Sequence, residues 1–235
     1  MFLMMSLISM NIRGIRGSVK RTYLRDLIRK KEVGMVCLHE AKCSEFIKES
    51  SFYLWGSNEI DWEENGVINN VGGVITMWRR NNFNMSSYFN GKIYSVIEGV
   101  WKAGDWVQIT IVNVYNSGSS KERKKVWEEI RELGKNQQNR VWCVVEDFNS
   151  IRRKEERKSV VSVSNYSREI RGFNDFIENS ELLDILMAGR KFTLYKPNGT
   201  IKSRIDRILV SREWLDIWPT VNNMFLVERF SIIML

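Results

Sequence analysis

The stretch Val141 to Ser150, "VWCVVEDFNS", decides the fold. Its first five residues are apolar and β-favouring without alternation, which predicts a strand buried on both faces of a sheet. The run then breaks into Asp147, Phe148 and Asn149. Along an extended chain, side chains at i and i+2 point the same way, so Asp147 and Asn149 are expected to project together from the strand's carboxyl end. Open α/β folds bind their ligands at that end.

Outward from this strand, the pattern extends over the whole chain. Leu3 to Asn11 reads as a first strand and Ser18 to Lys31 as a helix whose apolar stripe is Tyr23, Leu24, Leu27 and Ile28. "GMVCLHE" reads as another buried strand. "GGVITMW", "IYSVIEGVW" and "DWVQITIVNVY" are β-branched and aromatic, with Asn/Gly clusters between them, and predict consecutive antiparallel strands. Helices are predicted from Ser120 to Leu133 and from Ser167 to Glu178, the latter with Ile170, Phe173, Phe176 and Ile177 at helical spacing. "KFTLY" and "SRIDRILVS", on either side of Asn198-Gly199, read as a hairpin. With no linker, repeat or low-complexity segment, residues 1–235 are expected to form a single α/β domain with largely antiparallel sheets.

Composition narrows the function. The 235 residues are 43% hydrophobic, and 36 Lys and Arg against 28 Asp and Glu give a net charge of +8, which suits a polyanionic partner such as nucleic acid. Cys37, Cys43 and Cys143 have no C-x-x-C spacing, which points away from a disulfide framework or zinc site and toward a reduced setting, nuclear or cytoplasmic and not secreted. No run of about 18 apolar residues occurs, so no membrane span is expected.

The polar residues at predicted strand ends carry the chemistry. "SMNIRG" supplies Asn11, "VCLHEAK" Glu40, "IVNVY" Asn113 and Tyr115, "VVEDFN" Asp147 and Asn149, and "SRID" Ser203 and Asp206. Gathered on one rim, these carboxylates and amides would suit Mg²⁺ and a phosphate. The run Arg152-Arg153-Lys154-Glu155-Glu156-Arg157-Lys158 follows directly and is placed either to position a nucleic-acid backbone, through Arg152 and Arg153, or to serve as a solvated turn.

In this order, Asn11, Glu40, Tyr115, Asp147-x-Asn149 and Ser203-x-x-Asp206 resemble the endonuclease/exonuclease/phosphatase superfamily, which includes apurinic/apyrimidinic endonucleases. The chain is most similar to the endonuclease domains of plant LINE-type (non-LTR) retrotransposons. That resemblance runs through "MNIRG", "GGVITMW", "WCVVEDFNSIRRKEER", "LMAGRKFTLYKPNGTIKSRIDRILVS" and "EWLDIWP". It implies a four-layered, DNase I-like sandwich of two packed sheets flanked by helices, with a phosphodiester-cleaving site at one end. It further implies that Glu40 holds Mg²⁺, or Mn²⁺ in its place, with Asn11 helping to hold metal or phosphate. Asp147 would deprotonate the attacking water and Asn149 hold that carboxylate or the phosphate. Tyr115 would bind the phosphate, with Asn113 and Ser203 beside the substrate, and Asp206 would act from behind.

The chain departs from the pattern at its end. In the family, the aspartate matched by Asp206 orients a histidine from a later Ser-Asp-His motif, but here Ser231 is followed by Ile232, and His39 is the single histidine. Strand alternation turns His39 away from Glu40, so it is not expected to substitute. The domain is therefore expected to be truncated, with an incomplete last strand, an uncovered neighbouring edge and impaired catalysis. Glu146, where relatives carry Gly, is expected to turn outward. Three functions follow: a Mg²⁺-dependent DNA endonuclease of reduced activity, a non-catalytic remnant that binds nucleic acid, or a phosphoesterase acting on small substrates.

Overall fold

A computed structural model describes residues 5–15, 17–42, 46–66, 73–103, 105–115, 119–135, 141–159, 166–188, 191–196, 199–219, 223–225 and 232–234. The Glu146 side chain, Asn198 and Ser231 lie outside that description.

The first half of the chain contributes β1 (Leu7–Asn11), α1 (Ser18–Lys30), β2 (Met35–His39), α2 (Lys48–Trp55), β3 (Ile60–Asn65), β4 (Val74–Arg79), β5 (Phe83–Asn90), β6 (Tyr94–Ala103) and β7 (Asp105–Tyr115). The second half adds α3 (Ser120–Lys135), β8 (Val141–Asp147), β9 (Arg157–Ser159), α4 (Ser167–Asn179), β10 (Leu183–Asp184), β11 (Met187–Ala188), β12 (Leu194–Tyr195) and β13 (Ile201–Ser203). It ends with β14 (Asp206–Val210), α5 (Arg212–Ile217), β15 (Asn223–Phe225) and β16 (Ile232–Met234).

Two large sheets stack face to face, ordered β11-β15-β16-β1-β2-β4-β3 and β10-β14-β8-β7-β6-β5. Most pairings are antiparallel, but β1/β2 and β7/β8 run parallel. The strands alternate between two cores. From β2, Met35 and Cys37 enter the core between the sheets, where they meet Ile111 and Cys143, while Val36 and Leu38 meet Leu24, Leu27 and Ile28 of α1. On the other side, Val144 and Phe148 pack with Trp127 of α3 and Phe173 and Phe176 of α4. The result is the four-layered sandwich that the sequence implies.

Three expectations change. The strand Val74–Arg79 does not join the antiparallel run after it; it pairs with β2 and β3, and the run that follows, β5-β6-β7, builds the other sheet. "SRIDRILVS" is not one hairpin arm. The chain bends after Ser203, where Thr193 Oγ1 accepts hydrogen bonds from the N–H groups of Ile205 and Asp206 at 3.0 and 3.1 Å. β13 thus joins β12 and β9 in a small third sheet, while β14 enters the sandwich. Third, the edge expected to lie uncovered is paired. The short β16 pairs with β1 through Ile8, Ser9 and Met10, so β1 has a neighbour on each side.

Candidate active site

The carboxyl ends of the parallel pairs β1/β2 and β7/β8 meet at one end of the sandwich, and tight turns shape them. At the end of β8, Asp147 Oδ1 accepts the Asn149 N–H at 3.3 Å, and Asn149 takes φ +48°. At the end of β1, Asn11 Oδ1 accepts the Arg13 N–H at 3.2 Å, and Arg13 takes φ +47°. Both are Asx turns, in which a short polar side chain stops a strand by satisfying the next free N–H. Asn149 comes after Asp147, the last residue of β8, so strand alternation does not extend to it. Its backbone caps the carboxylate, and its residue is exposed. Phe148, between them, turns to the helix side and packs 4.9 Å from the Phe173 ring. Ser150, next in line, donates from Oγ to Glu169 of α4 at 2.9 Å. The motif thus places a carboxylate on one side and an anchor on the other.

Asn11 Nδ2 donates to Asp147 Oδ2 at 3.0 Å, bridging the two sheets. Asp206 lies directly opposite Asp147 in the β14/β8 register, and Tyr115 is beside it in the β7/β8 register. All four are buried. Burial first, and the facing Asp206 second, raise the Asp147 carboxyl from 3.8 to about 7, against the opposing pull of Asn11, the Asn149 N–H and Arg13. A general base for water activation works best with a pKa near the working pH.

Glu40 lies just past β2 with φ +54°, and its carboxylate meets Lys42 Nζ at 2.7 Å. Lys20 reaches the same corner, donating from Nζ to the carbonyls of Ile12 and Arg13 at 2.6 and 3.1 Å. Burial and Arg13 lower its ammonium, partly offset by Glu40.

Three sequence expectations resolve elsewhere. Asn113 is fully buried and donates from Nδ2 to the Ile75 carbonyl and Thr76 Oγ1 at 3.1 and 3.0 Å, so it ties the sheets together and does not meet substrate. Ser203 is 0% exposed and sits behind the site. Arg152 is held inside, donating to Asn174 Oδ1 at 2.9 Å and pairing with Asp184 at 3.4 Å. Arg153 alone of that pair is exposed, on a cleft of about 340 Å³ shared with Lys191. His39 lies buried between the sheets beside Asn113 and the Val145 backbone, and burial lowers its imidazole to about 4. The sequence reading missed Lys42 and Thr193. Their signals were a cation two residues past Glu40, and a threonine next to the aromatic Phe192 in "KFTLY".

A divalent cation fits the corner only loosely. No group of three or more His, Cys, Asp or Glu able to hold a metal occurs among the described residues. One exposed-side carboxylate with an amide nearby suits Mg²⁺, which keeps most of its waters and completes its shell on phosphate.

No protein-family model matches the chain, and no curated protein matches it. Among solved structures it is similar to an AP endonuclease from Leishmania major, at 16% identity and TM-score 0.73 over 98% of this chain and 87% of that one. It is also similar to an AP endonuclease from Archaeoglobus fulgidus, at 14% identity and TM-score 0.72 over 99% of both chains. An endonuclease/exonuclease/phosphatase family protein from Bacteroides thetaiotaomicron matches at 15% identity and TM-score 0.57, over 88% of this chain and 83% of that one. Among the described residues, no helix is long and apolar enough to cross a membrane. The chain has the two-sheet, helix-flanked fold of the AP endonucleases.

Proposed function

We propose that the chain is a Mg²⁺-dependent phosphodiesterase-type domain acting on DNA, related to LINE-type endonucleases, with no imidazole at its site among the described residues. The observation that carries this reading is the pair Asp147–Asp206, buried at the strand ends with Asn11 bonded to it. Asp147, with its raised pKa, takes a proton from water held at its Oδ atoms. Asn11 and the Asn149 N–H fix the carboxylate's orientation, so the base need not reorganise during attack. Tyr115 and Arg13 would bind the phosphate. Glu40, with Asn11, would hold Mg²⁺, which when bound supplies charge to the phosphate oxygens.

Among the described residues, no imidazole stands at the site to act as acid for the leaving oxygen. His39 is the chain's one histidine, and it is buried and neutral. General acid–base catalysis contributes about 10² to 10⁴ in rate, so the described residues acting alone are expected to be slower by that order. The alternative of nucleic-acid binding without cleavage gains support from the Lys42–Glu40 pair, which places a protein cation at the metal's carboxylate.

Nicking of supercoiled plasmid with Mg²⁺ or EDTA, run beside Asp147→Ala, tests the reading. Slow nicking that needs both Mg²⁺ and Asp147 supports it. Metal-independent nicking, or nicking unchanged by Asp147→Ala, overturns it, and salt-sensitive binding without any nicking selects the alternative.

A further inference from the structure

Lys42 is the polar group at this rim for which the mechanism above has no use. Its ammonium lies 2.7 Å from Glu40 Oε1, with the lysine side chain 48% exposed and the glutamate 17%. The two residues meet because the turn between them is forced. Glu40 and Lys42 take φ +54° and +50°, a region non-glycine residues seldom occupy. Backbone bonds hold them there: Gly14 N–H donates to the Glu40 carbonyl at 2.7 Å, Ile15 N–H to the Ala41 carbonyl at 3.0 Å, and Ala41 N–H to the Gly73 carbonyl at 3.1 Å. Ala41 is buried, pinning the middle of the turn. Electrostatic coupling of Lys42 to Tyr115 and Arg13 ties its ammonium to the same rim.

Glu40 acts on both Lys42, its ion-pair partner, and Lys20, and Arg13 repels both of these cations. A divalent ion approaching Glu40 meets their repulsion and must break an existing ion pair. This argument rests on the reading of Glu40 as the metal carboxylate. We propose that Lys42 is a resident counter-ion that competes with the divalent metal for Glu40, and that metal entry frees its ammonium to bind a substrate phosphate. Metal and polyanion then bind with positive coupling, each easing the other's entry. The resting site holds metal weakly and fills when nucleic acid arrives.

Titration of Mn²⁺ into the whole chain, with free Mn²⁺ counted by electron paramagnetic resonance, tests this without reference to turnover. Lys42→Met is expected to tighten Mn²⁺ by roughly three- to tenfold, as loss of a half-exposed charge near a divalent ion implies. Lys42→Arg keeps the charge and is expected to stay within about twofold of wild type. Glu40→Gln is expected to abolish the binding. Unchanged or weaker binding in Lys42→Met, or equal tightening in Lys42→Arg, overturns the competition. If Glu40→Gln binds as wild type does, the metal assignment itself fails; if it loses binding while Lys42→Met does not tighten, only the competition fails.

Discussion

Strand β14 carries two consecutive charged residues that enter two differently built clusters. Asp206 faces Asp147 across the strand pair, and two buried carboxylates confront each other with an amide and a distant guanidinium for relief. Arg207, one residue on, points the other way and is fully buried against Asp184 at 2.6 Å and against Glu156. Arg204 joins both, at 2.9 Å to Asp184 and 3.7 Å to Glu156, and Arg152 completes the set. Burial pushes the Glu156 carboxyl up, but Arg207, the Arg152 N–H and Arg204 outweigh it and hold it below the usual range. At Asp147 burial wins. The cations facing Glu156 and Asp184 mark the cluster that holds the fold together, and the raised Asp147 carboxyl marks the one suited to proton transfer.

The largest expected effect tests the compensated side. Arg207→Met keeps the side chain's bulk but removes the cation shared by two buried carboxylates. Stability is expected to fall by about 3 kcal/mol, the scale for breaking a buried pair from one side. Urea unfolding followed by fluorescence measures it. A loss under about 1 kcal/mol would mean that Arg204 and Arg152 suffice, and that the two clusters differ less than drawn here.

The next effect concerns pH and has two opposed parts. The Asp147 carboxyl stands at about 7 in the fold against 3.8 ordinarily, so between those values the folded chain keeps a proton that the unfolded chain has lost. Stability from this group falls as pH rises from about 4 and is fully lost above about 7. His39 stands at about 4 against 6.5, so there the unfolded chain takes a proton that the fold refuses, and stability falls as pH drops from 6.5. The slopes oppose one another, and wild type is expected to show little net dependence between about pH 4.5 and 6.5. His39→Gln should uncover the carboxyl slope, at most about 1.4 kcal/mol per pH unit. Asp206→Asn should weaken that slope by removing the like charge, and leave stability rising with pH. Urea midpoints at pH 4.5, 5.5 and 6.5 read both, and a His39→Gln curve parallel to wild type would refute the assignment.

How much of this was legible in the sequence differs from residue to residue, for physical reasons. The apolar run Val141 to Val145 announces a central strand because nothing else tolerates burial on both faces without alternation. The helix stripe with Leu24, Leu27 and Ile28 is equally plain, since all three are buried as spaced. For Asn149 the alternation argument stops short, because it holds only while a chain stays extended and β8 ends at Asp147 in an Asx turn. Asn113 and Tyr115 share one strand face, yet one ties the sheets and the other reaches the rim; depth along a strand is a tertiary quantity. Arg152 and Arg153 are adjacent and chemically identical, and only packing against α4 and β10 separates them. The bend after Ser203, made by Thr193 just ahead of β12, has no signal within the bend itself.

That last pair of arginines gives the smallest and most discriminating test. Arg153 is exposed on the cleft beside Lys191, whereas Arg152 spends its donors on Asn174 and Asp184. If the basic run positions a nucleic-acid backbone, the contact is expected from the exposed Arg153, because Arg152 already turns Nε and Nη1 toward Asn174 and Asp184 and its side chain is only 25% exposed. Arg153→Ala is expected to weaken duplex binding by about two- to threefold and to reduce the slope of log affinity against log salt by about 1, the release of one counter-ion. Arg152→Ala is expected to lower the unfolding midpoint and leave that slope unchanged. Fluorescence anisotropy over a salt series separates them. Should Arg152→Ala flatten the slope instead, its ties to Asn174 and Asp184 must open on binding, and the compensated cluster would belong to the functional surface after all.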